Sequence, residues 1–405
     1  MIPGKEIPIL NVNSTLKEMP AYLRRSTATL LVVLFLSLPA QAQLSEIVDI
    51  SGYFKELGQI SLSNDFSTLH YDNSIQNRFE TEWSFTENLE LNADLRTRLL
   101  HGYTVQNTPE ISRFYENDPN LMDLSWVLAD TDNAILLSQI DRLHVSYFAG
   151  DFEFYGGRHR INWGKTMAWN PNDLFNNYAF LDFDYEERPG VDAVSAVYNL
   201  DFASSLEAGF KLARSFNKMV IAAMYRTNVK TYDLQFIAGH YEDKVVVGAG
   251  WAGYLKDAGF KGEATYFQPE KDFLNQTGSL SSTIGFDYIF PNSLYAQAEF
   301  LYNGGYQKKN APLATLTQPP TADNLFISKT GYLLNGSYTL NPLLNVNLGF
   351  MGSFTRKMVI LFPQVSYSVA ENLDLLLVSQ LLKGYVFSNA TNTPNVFFVR
   401  LKWSY

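Results

Sequence analysis

Cysteine is absent from all 405 residues, which excludes a disulfide framework and a thiolate metal site. A basic excess is also missing. The 31 Lys and Arg stand against 41 Asp and Glu, a formal net charge of -10, and gripping a phosphate backbone needs a broad basic surface. Histidine is scarce: His70, His101, His144, His159 and His240 show neither an HExxH pair nor close metal-ligand spacing. No Gly-rich phosphate loop occurs, and nothing beyond residue 42 approaches the roughly 18 consecutive apolar residues of a helical membrane span. Nucleic acid, metal and cofactor are therefore not expected, and neither is an enzyme.

Aromatic residues, by contrast, are plentiful. They reach 15% of a chain whose hydrophobic total is only 46%, so apolar residues are diluted evenly by polar ones. At the start, Arg24 and Arg25 precede the apolar run Ala28 to Leu38 and the small-residue site "PAQA". This predicts a signal peptide over 1–42, with Met19 an alternative start, and a mature chain over 43–405. Removing that leader leaves 27 basic against 39 acidic residues, a net charge of -12.

The remainder alternates. In "NVFFVRLKWSY", Phe397, Val399, Leu401, Trp403 and Tyr405 fall on one face of a strand and Arg400, Lys402 and Ser404 on the other. Residues 89–99 repeat the pattern with Leu89, Leu91 and Leu95 against Glu90, Asp94, Arg96 and Arg98, as do 78–86 and 294–303. Segments of about 10 residues with this weak dyad are the signature of a transmembrane barrel. The tally from 50–62 to 395–405 is eighteen strands, with sixteen the other even count within boundary error. Connections after even strands are tight, such as 86–88, 228–231 and 370–372, whereas several after odd strands are long, notably 103–138, 163–190, 269–279 and 305–326. A soluble sandwich has no reason to sort loop length by parity. The expected fold is all-β: a closed antiparallel transmembrane barrel of about 18 strands around an aqueous lumen, with the loop after strand five folded inward.

The basic stretch "YGGRHRINWGKTMAWNPN" at 155–172 ends the fifth strand. Arg158 and Arg160 share a face, and a guanidinium facing lipid costs about 2 to 4 kcal/mol, so both are expected to face the lumen beside Arg96, Arg98 and Arg142. The long loop then carries Asp182, Asp184, Glu186 and Glu187 before Arg188. Folded inward, it would set these acids opposite the arginines, either as a selective constriction or as a salt-bridge network that merely anchors the loop. Trp163 and Trp169 are the loop aromatics placed to meet a solute.

The segment 156–194 resembles a pattern of bacterial outer-membrane porin-like barrels: a GRQ-x-x-x-WG strand end, a W/F-NP-x-D-x-F turn, and an acidic run before R/K-PG-x-D-A. His159 stands where the pattern has glutamine. In outline the chain is similar to alginate-export barrels, which are eighteen-stranded with an arginine-lined lumen. The resemblance implies an outer-membrane location in a Gram-negative-type bacterium. The expected function is passive diffusion of small hydrophilic solutes, with a bias to anions if arginine is in excess at the narrow point. A non-conducting scaffold barrel and a polyanionic polysaccharide export channel are the alternatives. Outer-membrane lipid, the solute and further copies of the chain are the expected partners.

Overall fold

The computed structural model describes residues 47–63, 67–177, 182, 188, 190–306, 320–355, 358–384 and 395–405. The leader expected over 1–42 lies outside them, as do Asp184, Glu186 and Glu187. The strands are β1 (Val48–Leu62), β2 (Leu69–Thr86), β3 (Leu89–Gly102), β4 (Ser125–Asp130), β5 (Ala134–Ala149), β6 (Phe152–His159), β7 (Val191–Asn199), β8 (Ser205–Lys211), β9 (Val220–Val229) and β10 (Tyr232–Tyr241). They continue as β11 (Lys244–Leu255), β12 (Ala258–Pro269), β13 (Ser279–Ile289), β14 (Tyr295–Asn303), β15 (Thr330–Asn341), β16 (Leu344–Ser353), β17 (Met358–Ala370), β18 (Leu373–Gly384) and β19 (Asn395–Ser404). Two short helices, α1 (Tyr103–Asn107) and α2 (Ile111–Glu116), lie between β3 and β4.

All of these strands but β4 form one closed antiparallel barrel of eighteen strands. Each pairs with its neighbour in sequence, β3 passes directly to β5, and β19 returns to β1 from Tyr53↔Ser404 to Leu62↔Asn395. Closure matters because an open edge in hydrocarbon would leave backbone groups without partners. Every expected strand core is present, and ends shift by only a few residues, apart from the fourth core, 139–148, and the start of the second, 75–86, which lengthen to Ala134–Ala149 and Leu69–Thr86. The tight turns at 150–151, 230–231, 256–257 and 371–372 each place one residue, Gly150, Lys230, Lys256 or Asn372, in the left-handed region.

Alternation sorts the two faces. On β12, Glu263 and Thr265 are buried on the inner face while Tyr266 between them and the next strand turn is exposed. The outer face carries aromatic pairs such as Phe152 with Tyr198, 4.4 Å between centroids, and Phe54 with Trp403, 6.1 Å.

The wall has one irregularity that positions the site. β6 pairs with β5 only from Ala149↔Phe152 to Leu143↔Arg158, and then its chain leaves the sheet. The vacated place beside β5 is filled by β4, which pairs from Ser125↔Gln139 to Asp130↔Ile135. Backbone groups of β5 therefore keep partners on both sides where β6 is gone. This strand lies in what the sequence reads as the loop 103–138.

The interior also differs from a purely aqueous lumen. Ile161, Trp163, Leu174 and Phe175 form one buried apolar cluster with inner-face residues of β7, β9 and β10, including Val220, Met224 and Ile237. Ala168 and Trp169 form a second with Leu301, Leu325, Phe326, Leu333, Met351 and Ile360. Inner faces of these strands are apolar where they meet chain rather than water.

Candidate functional site

The segment 160–177 runs from the end of β6 to the middle of β12 and β14, and twelve of its eighteen residues are buried. Its hold on the far wall is made by two glutamates. Glu263 accepts the backbone N–H of Lys165, of Thr166 at 2.9 Å and of Asn172 at 3.0 Å. Glu299 accepts those of Met167 at 3.0 Å, Ala168 at 3.2 Å and Trp169 at 2.9 Å. A carboxylate has acceptor sites for several donors, so each anion satisfies amides of a coil that has no ladder of its own. Gln235 Nε2 adds a bond to the Trp163 carbonyl at 2.9 Å, and Asn172 Nδ2 donates to the Ala249 carbonyl at 3.0 Å while its oxygen accepts from Thr265 at 2.6 Å.

Glycine makes room for this docking. A Cβ on Gly250, the register partner of Glu263, would stand 2.8 Å from Asn172 Nδ2, and one on Gly331 would stand 3.1 Å from the Trp169 ring. Within the segment, Asp173 is fully buried, with Arg188 Nη1 at 3.4 Å and the Asn176 N–H at 3.4 Å. Burial pushes its carboxyl up to about 6, against the opposing pull of Arg188.

The residues that carry the resemblance are those the segment buries. Arg158 pairs with Asp192, Trp163 packs edge-on against Phe175 at 4.9 Å, and Asn170 and Asp173 are buried polar groups. At Gly157, φ is 119° and a Cβ would meet the Leu143 carbonyl oxygen at 2.3 Å, so only glycine fits the corner where β6 departs. Trp163 and Trp169 are 1% and 3% exposed, and Trp169 packs edge-on against Phe326 at 5.3 Å. The expectation that they stack on a solute is corrected: both faces are taken up by the core.

The arginines divide. Arg96 and Arg98 lie on the inner face, opposite Arg78 and Gln76 on β2. Arg96 Nε is 2.9 Å from Asp141, Arg98 lies over the Tyr115 ring at 5.8 Å, and Arg142 Nε is 3.7 Å from Asp94. Arg78 binds Asp94 and Asp141, each at 2.8 Å, as well as Glu80. A bulge at Asp94 and Leu95 admits Asp141 to this cluster.

Arg158 is a correction. In the register it stands opposite Asp192, on the outward face with Phe152, Phe154 and Tyr198. Its guanidinium escapes lipid by being covered rather than by facing the lumen: Asp118 at 2.7 Å, Asp192 at 2.8 Å and the carbonyls of Met122 at 2.7 Å and Ile140 at 3.1 Å enclose it. His159 takes the inner face instead, with Nε2 2.8 Å from Ser195 Oγ. Arg160 lines an inner cavity of about 370 Å³ with Arg142, His144, His159, Tyr155 and Glu207.

Of the acidic run, only Asp182 is described, and Arg188 meets Asp173. Glu263, Glu299 and Asp118 escape sequence reasoning because their partners are backbone groups or side chains dozens of residues away. The one local sign is a lone Glu at the centre of a strand's polar face with glycine as its register partner, Gly250 for Glu263 and Gly285 for Glu299. Among the described residues no group of three or more His, Asp or Glu could hold a metal ion.

No family model matches the sequence, and no curated protein does. Solved structures share the fold. OccAB1 of Acinetobacter baumannii aligns over 90% of this chain and 99% of its own with a TM-score of 0.57 at 9% identity. OprD of Pseudomonas aeruginosa gives 0.56 over 88% and 95% at 10% identity, and the outer membrane protein opdK of the same organism 0.54 over 88% and 98% at 10%. The chain thus has the architecture of a porin-like outer-membrane β-barrel.

Proposed function

We propose that the chain, freed of its leader 1–42, is an outer-membrane channel of a Gram-negative bacterium for passive diffusion of small hydrophilic solutes, with the segment 160–177 as its constriction. One observation carries this reading: six backbone amides of that segment are held by two carboxylates on the wall opposite β6. A tether of this kind fixes the width left for a solute. Bias toward anions is assigned to Arg96, Arg98, Arg142 and Arg160 on the inner side, offset by Asp94, Asp141 and Glu207; Arg158 serves as an anchor. The fold shared with OccAB1, OprD and opdK supports the channel reading.

Single-channel recording in planar bilayers tests it. Conductance is expected, with the reversal potential moving toward cations on Arg142→Glu with Arg160→Glu; silence at every voltage overturns the channel. A non-conducting barrel is favoured by a different observation, the two apolar clusters that pack the segment on both sides.

A further inference from the structure

The outward face of most of the ring is apolar. Phe286, Ala298, Leu334 and Phe350 follow one another in register across β13 to β16 without a polar side chain among them. The arc made by β1, β2, β3 and β5 is different. Asn77, Thr97 and Ser138 are register partners on the same outward face as the exposed Phe79 and Leu95. A second polar row lies one apolar row away: Glu56, exposed and paired with the exposed Leu401, then Asn73, paired with His101.

These groups satisfy one another only in part. Thr97 and Ser138 share a hydroxyl bond of 2.8 Å, and Asn77 Nδ2 donates to the Tyr405 hydroxyl at 3.2 Å. Asn73 Nδ2 donates to the Glu56 carboxylate at 3.1 Å and to the Tyr71 hydroxyl at 2.9 Å, while the Asn73 side-chain oxygen is buried without a donor. Glu56 is at the middle of β1, away from either strand end. Hydrocarbon offers such a carboxylate no hydrogen bond, and an ionisable group facing it is costly.

We propose that this arc is the surface on which a second copy of the chain docks. The inference rests on the reading of the exposed face as membrane-embedded. A second copy is the fitting occupant because the arc carries both halves of the bonding: the Glu56 carboxylate accepts, and the His101 ring can donate. A surface with both, repeated by a two-fold axis, supplies to its copy what it lacks itself. Lipid chains supply neither.

The absence of cysteine makes the test clean. Leu95→Cys on the arc and Phe350→Cys on the apolar outward face of β16 replace residues of equal exposure, 38% each. In the full chain reconstituted into phosphatidylethanolamine–phosphatidylglycerol vesicles, oxidation is expected to yield at least tenfold more cross-linked dimer from Leu95→Cys. Equal yields, the result of random collision, overturn the proposal. Glu56→Leu with Asn73→Val is expected to halve the particle mass or more by light scattering in detergent; unchanged mass with a raised melting temperature would show that the arc faces lipid, and overturns it too. Planar-bilayer conductance of the same preparations separates the readings. Conducting chains that cross-link equally sink the docking surface alone, and chains that dock without conducting uphold the surface while sinking the channel.

Discussion

Two inner walls face each other across this barrel, and they use charge in opposite ways. On β2, β3 and β5, arginines and aspartates neutralise one another side chain to side chain, with Arg78 and Arg96 sharing Asp141. On β12 and β14, Glu263 and Glu299 accept backbone amides instead. The first wall is redundant at its centre, because Arg78, Asp94 and Asp141 each have more than one ionic partner. The second is not, because every amide of the tether depends on one of two side chains.

The largest effect should come from removing that dependence. Glu263→Ala with Glu299→Ala leaves six amides without acceptors, at about 1 to 3 kcal/mol for each that stays buried, so the segment should leave the wall. Single-channel conductance is expected to rise severalfold and the melting temperature to fall; unchanged conductance would show that the tether does not set the width. Next is Arg158→Ala, which strands Asp118 and Asp192 together under the 118–124 cover. Breaking a buried pair costs about 3 to 5 kcal/mol, to be read by denaturant unfolding in micelles, and a loss below about 1 kcal/mol would deny Arg158 its anchoring role.

Acid sharpens the comparison further. The Asp173 carboxyl ionises at about 6 in the folded chain against an ordinary 3.8, so the folded state holds the extra proton between these values. Its contribution to stability is therefore greatest below about pH 4 and falls as pH rises to about 6, by up to about 3 kcal/mol. Asp173→Asn should remove that slope from the pH dependence of unfolding. Smallest is Arg96→Gln: Arg78 still holds Asp141, so a loss of about 1 kcal/mol is expected in the same assay. A loss as large as that of Arg158→Ala would show that the first wall is not redundant.

The barrel itself was legible in the sequence because strand alternation is local: whether Leu95 or Arg96 faces outward follows from its neighbours. The constriction was legible only in part. Residues 155–175 stand out by composition, but what they touch is set by wall residues some hundred positions away, Glu263 and Glu299 above all. Arg158 was not legible because alternation distinguishes only lipid from lumen, whereas its guanidinium is covered by Asp118 and the Met122 carbonyl. The strand β4 and helices α1 and α2 are too short to rise above a long loop's background, and their order comes from packing, as where Ile111 and Tyr115 lie against Ile135 and Leu137.

The patch formed by β4 bears on how the barrel assembles. β4 and β5 are joined by only 131–133, with Thr131 N–H and Oγ1 both bonded to the Ala134 carbonyl. So short a hairpin closes in microseconds, long before contacts between distant parts of the chain. The gap that β6 leaves when it turns inward is thus sealed by chain already made and already paired. A growing barrel need never present that edge to lipid, and the inward turn can wait until the far wall, with its two glutamates, has arrived to receive it.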